Sequence, residues 1–440
     1  MRRATVEACR PVPRRSRDAE RAVVCLPQLR NCAWMLLIRG RIQKPIVPMV
    51  PSRAAQRETM NYLRVLCGFA LFAVLASNVW SMSRWSESRG VYDDICYLRQ
   101  AHLFQRFGLG GLDTNISRDD DQYLSTKLKE MGFTSWNDTS TAPCHTRMPA
   151  SEKRVMQYPP GTGFVLALFP RGFQVIPLYV SATVIVFGLA LLAIFYARSR
   201  SSILATAGFG CLAVYLMINP AKASYSVAPT MVACALAGLL TARFFSAAQE
   251  RNRIALAGII GLIIGISVNF RLPNLFLASG YLLFFGISFL RSRTIAVAVQ
   301  GVAFSVAFLF GMLPTLLANA INAGSPFSTT YGGVDVTSPD FSFRIIWQYL
   351  ADMQFVLLLL AGLWTVMMWL SSRAGGVRQV ALVTAGNLLV NLAFFLSHPI
   401  FTPYYTVPVA MLSLWSLLFA SLIQQTEAGD GGLIGQAVGR

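Results

Sequence analysis

A chain of 440 residues that is 54% hydrophobic and only 13% charged, with a net charge of +18, lies outside the range of soluble domains, which carry about 25% charged residues. Residues 1–59 hold thirteen Lys/Arg against four Asp/Glu, so +9 of the net charge belongs to that leader. Much of the remainder falls in short loops between apolar runs, as membrane orientation requires, which makes nucleic-acid binding a poor explanation of the basic balance.

In chain order, Met1 to Thr59 is rich in Arg and Pro, and its one apolar patch, Cys32 to Ile38, is too short to cross a bilayer. It lacks the long apolar core and small-residue cleavage site of a signal peptide. It reads as a disordered basic leader, either a cytoplasmic tail or sequence ahead of a true initiator at Met60. Hydrophobic stretches near the ~20 residues needed to span a bilayer then follow at Val65–Met82, Val175–Tyr196, Ile203–Ile218, Val227–Phe245, Ile254–Phe270, Asn274–Leu290, Ile295–Ala320, Met353–Leu370, Val380–Leu396 and Tyr404–Ile423. The expected fold class is therefore an all-α polytopic transmembrane bundle of about ten spans. A large polar loop at 83–160 follows the first span, and a tail at 424–440 follows the last. Gly161 to Phe173 is apolar but short and interrupted by Pro170 and Arg171, so it reads as a juxtamembrane or re-entrant helix.

The charges orient the bundle. Arg53, Arg57 and Arg64 precede the first span, and alternate loops then carry Arg198 with Arg200, Arg243 with Arg251 and Arg253, Arg291 with Arg293, and Arg373 with Arg378. The positive-inside rule puts these ends and the N-terminus in the cytoplasm. The loops at 83–160, 219–226, 271–273, 322–352 and 398–403 then emerge outside, and they hold nearly all the polar residues that packing does not explain.

Acid is concentrated in the first of these loops: ten of the twenty carboxylates lie between Ser83 and Pro160, and from Gly161 to Ile423 there are only Glu250, Asp335, Asp340 and Asp352. Any acid-base chemistry has few residues to draw on, and Asp93 with Asp94, just past the first span, is the leading pair. Asp119-Asp120-Asp121 offers oxygen ligands that suit Ca²⁺ or Mg²⁺, although a run of acids more often marks a solvated face or a helix start. The eight cysteines contain no CxxC pair, and His102, His145 and His398 are too scattered to argue a metal site. Cys96 and Cys144 alone share the polar loop, so a disulfide between them is expected if that loop faces an oxidising compartment.

The outer loops carry three ordered motifs. Asp93-Asp94 is followed by Tyr97 and Ala101. Tyr158-Pro159-Pro160-Gly161 closes the large loop, and Gly324-Ser325-Pro326-Phe327 precedes Tyr331. In this order, over roughly Met60 to Ile423, the chain resembles the C-type membrane glycosyltransferases, the superfamily of protein O-mannosyltransferases and the lipid A aminoarabinose transferase. It is most similar to bacterial members that act on surface polysaccharides. The family's second acid is often Glu where this chain has Asp94, and the segment 113–153 is longer and more polar than the family leads one to expect.

The resemblance implies a multi-pass enzyme of the bacterial inner membrane. Its donor would be a sugar on a polyprenyl phosphate, and its acceptor a glycan, lipid or protein. The partners expected are that donor, that acceptor and membrane lipids, with no nucleic acid; the resemblance implies no cofactor, and a divalent cation at the acidic run remains a candidate from the residues alone. Glycosyl transfer to a hydroxyl needs a carboxylate to take the proton and a cation for the leaving phosphate. Asp93 is the expected base, with Asp94 orienting it or the acceptor. Arg271, at the outer end of a span where charge is costly unless used or snorkelled, is the expected phosphate ligand, with Lys222 and Arg344 as weaker candidates. Tyr97, Tyr158, Tyr331 and His398 complete the expected binding residues. Trp347, Tyr349, Tyr404 and Tyr405 read first as interfacial anchors. A transporter or flippase for a lipid-linked or polar solute is the alternative; it is disfavoured because the spans are nearly free of acids and show no repeat.

Overall fold

The computed structural model describes residues 53–86, 92–149, 152–218, 224–332, 338–372, 374–398 and 401–437, with side chains from 57 onward except at 92, 93, 139, 403 and 426–437. Within these, α1 (Arg53–Met82) leads into the segment expected outside, which holds α2 (Tyr92–Phe107), α3 (Tyr123–Glu130), the short antiparallel pair β1 (His145–Arg147) and β2 (Arg154–Met156), and α4 (Gly161–Ala167). The bundle continues with α5 (Val175–Tyr196), α6 (Arg200–Leu216), α7 (Val227–Ser246), α8 (Glu250–Val268), α9 (Ser279–Ser292), α10 (Ile295–Gly311) and α11 (Leu313–Ala323). It closes with α12 (Phe343–Ala351), α13 (Phe355–Ser371), α14 (Gly375–Ser397) and α15 (Val407–Ala437). The all-α polytopic class is thus the observed one. The basic leader up to Ser52 lies outside the described residues.

Seven of these helices, counting the turn at Leu272 with α9, are long and apolar enough to cross a membrane, or nine if two bent pairs each make one span. α6, at 17 residues, is apolar but short. Of the stretches expected to span, one is bent. The stretch read as Ile295–Ala320 is α10 and α11, bent by 49°. The one read as Met353–Leu370 is found as α13, and α12, which precedes it, is turned 86° from it. α12 buries Ile345 and Tyr349 while Phe343 and Trp347 stay exposed, the pattern of a helix lying along the membrane surface. At the centre stands α15: 89% of its apolar window is buried, against 22% for α1, so α1 lies at the rim, with its outward face apolar as lipid contact demands.

Packing inside the bundle depends on small residues rather than on the hydrophobic effect, because lipid tails are as apolar as Leu. Gly261 and Gly265 of α8 lie one turn apart against the backbone of α10, and a Cβ on either would collide with the carbonyl oxygen of Phe304 or Phe308. Gly258, on the same helix, has open space, with its nearest neighbour 3.9 Å away. Gly261→Ala should therefore destabilise the detergent-solubilised protein by about 1 to 3 kcal/mol, and Gly258→Ala should change it by no more than about 0.5 kcal/mol. Equal thermal midpoints for the two variants would refute this account of the α8–α10 contact.

The bend between α10 and α11 follows from Pro314, which has no N–H and cannot continue the ladder. The side chain of Asn269 bridges the break: its Nδ2 donates to Gly311 O at 2.8 Å, and its Oδ1 accepts from Thr315 N at 3.0 Å and Thr315 Oγ1 at 2.8 Å. Asn269 is the residue that opens the turn towards Arg271, so this repair also fixes where that cation sits.

Candidate active site

α2 is buried along most of its length, including Asp94, Arg99, Gln100 and His102, each 3% exposed or less. Buried polar groups need partners, and the outer segment supplies them. Arg99 donates to the carbonyls of Thr114 and Asn115, both at 3.0 Å, and sits 3.6 Å from Asp119. His102 meets Asp121 at 2.7 Å, and Arg106 clasps Asp120. Asp119 also accepts the Leu124 N–H at the start of α3. The acidic run read as a candidate cation site is therefore the counter-ion set for one face of α2.

Cys96 and Cys144 are joined as a disulfide with Cα atoms 6.6 Å apart, tying α2 to the start of β1. His145 lies beside them, close enough for the three to form a group of metal-ligand type, although the two sulfurs are bonded to each other. Arg99 Nη1 donates to His145 Nε2 at 3.0 Å, so the imidazole proton resides on Nδ1 and is donated to the Pro143 carbonyl at 2.7 Å. Burial, and then the Arg99 charge, hold the His145 pKa down to about 3. An unfolded histidine binds its proton near pH 6.5, so between those values the unfolded chain takes up a proton that the folded one refuses. Stability should be level above about pH 6.5 and should fall as the pH drops towards 3. Thermal midpoints of the protein and of His145→Gln at pH 7 and pH 5 test this: the variant should lose part of the acid sensitivity, and an unchanged difference would overturn the assignment.

The other face of α2 enters the bundle. Asp94 Oδ1 accepts from the backbone N of Tyr225 at 3.0 Å. One turn on, Tyr97 hydrogen-bonds Ser226 and Ser224, and burial pushes its phenol pKa well up, opposed by those hydroxyls and by the charge of Arg271. Tyr97 stacks on Tyr158 at 5.0 Å, and Tyr158 meets Tyr331 edge-on at 6.1 Å. Arg271 is buried, with its guanidinium 4.8 Å from the ring of Tyr404 and 4.5 Å from that of Tyr405. Among the described residues it has no ion pair. Tyr97, Tyr158, Ser224, Ser226, Arg271 and Tyr331 line one polar cavity.

Local sequence explains why these distant residues meet. Gly161 N donates to Asn269 O at 2.7 Å, and a Cβ on Gly161 would lie 2.7 Å from that same oxygen. The glycine of the Tyr-Pro-Pro-Gly motif thus serves close approach to the end of α8, which sets Tyr158 beside Arg271. Thr330 Oγ1 donates to Gln157 O at 2.8 Å and brings Tyr331 alongside. Gly324 ends α11 at φ 81°, a left-handed cap that glycine takes without strain.

A groove of about 420 Å³ adjoins this cavity through the shared residues Pro273, Tyr331 and Tyr405. Its walls are largely apolar, with Leu275, Phe276, Leu316 and Phe394 among them. A small polar cavity of about 30 Å³ beside a cation thus adjoins a largely apolar groove.

Of the residues expected from sequence, Asp94, Tyr97, Tyr158, Tyr331 and Arg271 come together here. Asp93 lies in the first turn of α2, and its side chain is outside the described residues, as is the whole of Lys222. His398 lines the apolar groove, where it stacks on Phe394 at 5.6 Å. Arg344 sits exposed on α12, away from the cavity lining. Two of the residues read as interfacial anchors, Tyr404 and Tyr405, also meet Arg271, their rings perpendicular to each other beside its guanidinium, and Tyr349 is buried against Thr402. The sequence reading missed Ser224 and Ser226; their hydroxyls crowd a short outer loop next to Lys222, which was the available signal.

No protein-family model matches the chain, and no curated protein matches it in sequence. The class defined by fold and composition is that of a multi-pass α-helical membrane protein.

Proposed function

We propose that the chain is a C-type membrane glycosyltransferase that moves a sugar from a polyprenyl phosphate to an acceptor hydroxyl. The observation that carries this reading is Arg271, a buried cation without an ion pair among the described residues, set where the polar cavity meets the apolar groove. A buried charge is costly without a counter-charge, and a phosphate whose prenyl tail occupies the groove would supply one. In the transfer, the acceptor oxygen bonds to the anomeric carbon as the bond from that carbon to the phosphate oxygen breaks. The acceptor proton passes to Asp93, and the lipid phosphate leaves against Arg271 and the hydroxyls of Tyr97, Ser224 and Ser226. Asp94, held by the Tyr225 N–H, fixes the start of α2 and so the position of its neighbour. The acidic run Asp119-Asp120-Asp121 takes no part, since its carboxylates face Arg99, His102 and Arg106.

The same reading places the protein in the bacterial inner membrane, with the cavity outside and the N-terminus in the cytoplasm, on the support of the arginine distribution. The test is mass spectrometry of surface glycans from cells with and without the gene. Loss of one sugar from a glycan, lipid or protein in the deletion, restored by the intact gene, is expected. Identical glycans, together with no transfer from polyprenyl-phosphate sugars in proteoliposomes, would refute the proposal.

A further inference from the structure

A second cavity, of about 530 Å³, lies at the opposite ends of α7 and α8 from Arg271, against the last turn of α9 and the first turns of α10 and α14. It does not depend on the glycosyltransferase reading. Its polar groups include Arg253, Arg291, Ser288, Gln300 and one carboxylate, Glu250, so its charged side chains sum to +1 (two Arg, one Glu). Arg253 uses Nε on the Ala247 carbonyl at 2.8 Å, which leaves its two terminal amino groups. Thr294 at the N-cap of the 17-residue α10 makes no side-chain capping bond, and Ala296 and Val297 line the cavity, so the first turn of α10, whose N–H groups have no intrahelical partner, borders it without a capping side chain.

Gln300 is the second and separate sign of a ligand. It is 7% exposed, it lines the cavity one turn into α10, and it makes no hydrogen bond among the described residues. A buried amide in an apolar helix is costly without a partner. Phe244, Phe245 and Phe284 form the apolar wall, and the outward sides of α9 and α10 expose Leu283, Ile287, Val299 and Val302. A helix N-terminus, two guanidiniums and a free amide beside a hydrocarbon-facing surface match a phosphate carried on acyl chains.

We propose that this cavity holds the phosphate headgroup of an anionic phospholipid, in the leaflet opposite the one that Arg271 serves, with its acyl chains along α9 and α10. The lipid neutralises the basic end of the bundle and bridges the short α7–α8 turn to the short α9–α10 turn.

Native mass spectrometry of the full-length protein in detergent, titrated with phosphatidylglycerol, phosphatidylcholine or inorganic phosphate, tests the proposal. One phosphatidylglycerol should be retained well above phosphatidylcholine, and millimolar inorganic phosphate should not displace it. Gln300→Leu and Arg291→Gln should each weaken retention by about tenfold. The leucine variant should keep its thermal midpoint in lipid-free detergent, because it removes an unpaired polar group; Arg291 is exposed, so its variant decides the matter should Gln300→Leu fail to fold. Unchanged retention in the folded variants, or equal binding of phosphatidylcholine, would overturn the site. Displacement by inorganic phosphate would overturn the lipid as its occupant.

Discussion

Arg271→Met should lower transfer from a lipid-phosphate donor by roughly 10² to 10³-fold, the usual cost of deleting one group that stabilises developing charge, while thermal stability stays level or rises. The two effects diverge for one physical reason. In the resting protein the guanidinium is buried without an ion pair among the described residues, and only its stacking on Tyr404 and Tyr405 favours the folded state. Such cation–π contacts contribute about 0.5 to 2 kcal/mol, which desolvation of the charge offsets or exceeds. An apolar side chain of similar length loses the first term and is relieved of the second. A purely structural arginine would behave oppositely, with stability falling and activity following it. Arg271→Lys should be intermediate, because it keeps the charge and loses the planar fork that fits a phosphate. Turnover of Arg271→Met at the wild-type rate would transfer the phosphate to Lys222 or Arg344.

The second large effect is expected at the start of α2, where two adjacent carboxylates should separate by type of damage. Asp93→Asn keeps the volume and removes the base. Loss of proton abstraction typically costs about 10² to 10⁴-fold in rate, with expression and thermal midpoint near wild type. Asp94 has a structural bond to lose, the one accepted from the Tyr225 backbone. Asp94→Asn can retain that acceptor and should be mild in both assays. Asp94→Ala leaves a buried N–H unsatisfied, at about 1 to 3 kcal/mol, and should lower stability and activity together. Full transfer by Asp93→Asn would move the base to Asp94, and full transfer by the double variant would end the mechanism.

Within the candidate site, what could be read in advance was what has a one-dimensional signature. Arg271 stood out because a cation at the end of an apolar run needs a reason, and the tyrosines because they lie in ordered outer motifs. Ser224 and Ser226 did not stand out, since nothing in a short loop tells which hydroxyl will face the buried phenol of Tyr97, 127 positions before the first of them. For Tyr404 and Tyr405, an aromatic at a membrane boundary already has an adequate local explanation. Only the fold reveals that these two rings flank a guanidinium. For the acidic run, the chain order offers three consecutive aspartates, and only the fold reveals that α2 presents Arg99, His102 and Arg106 on the matching face.

By itself, then, the sequence determined the solvent of this protein, its helical class and the approximate positions of its apolar segments. These follow from composition and from the length needed to satisfy every backbone polar group within a bilayer, both of which are sums over neighbouring residues. The tertiary structure decided which helices bend, which polar residues act as counter-ions, and which of several outer cations is enclosed. Each of those outcomes rests on contacts between residues remote in the chain, such as Asn269 with Gly311 and Thr315 or Gly161 with Asn269. Their energy depends on close approach and on partner geometry, and neither is encoded in spacing along the chain.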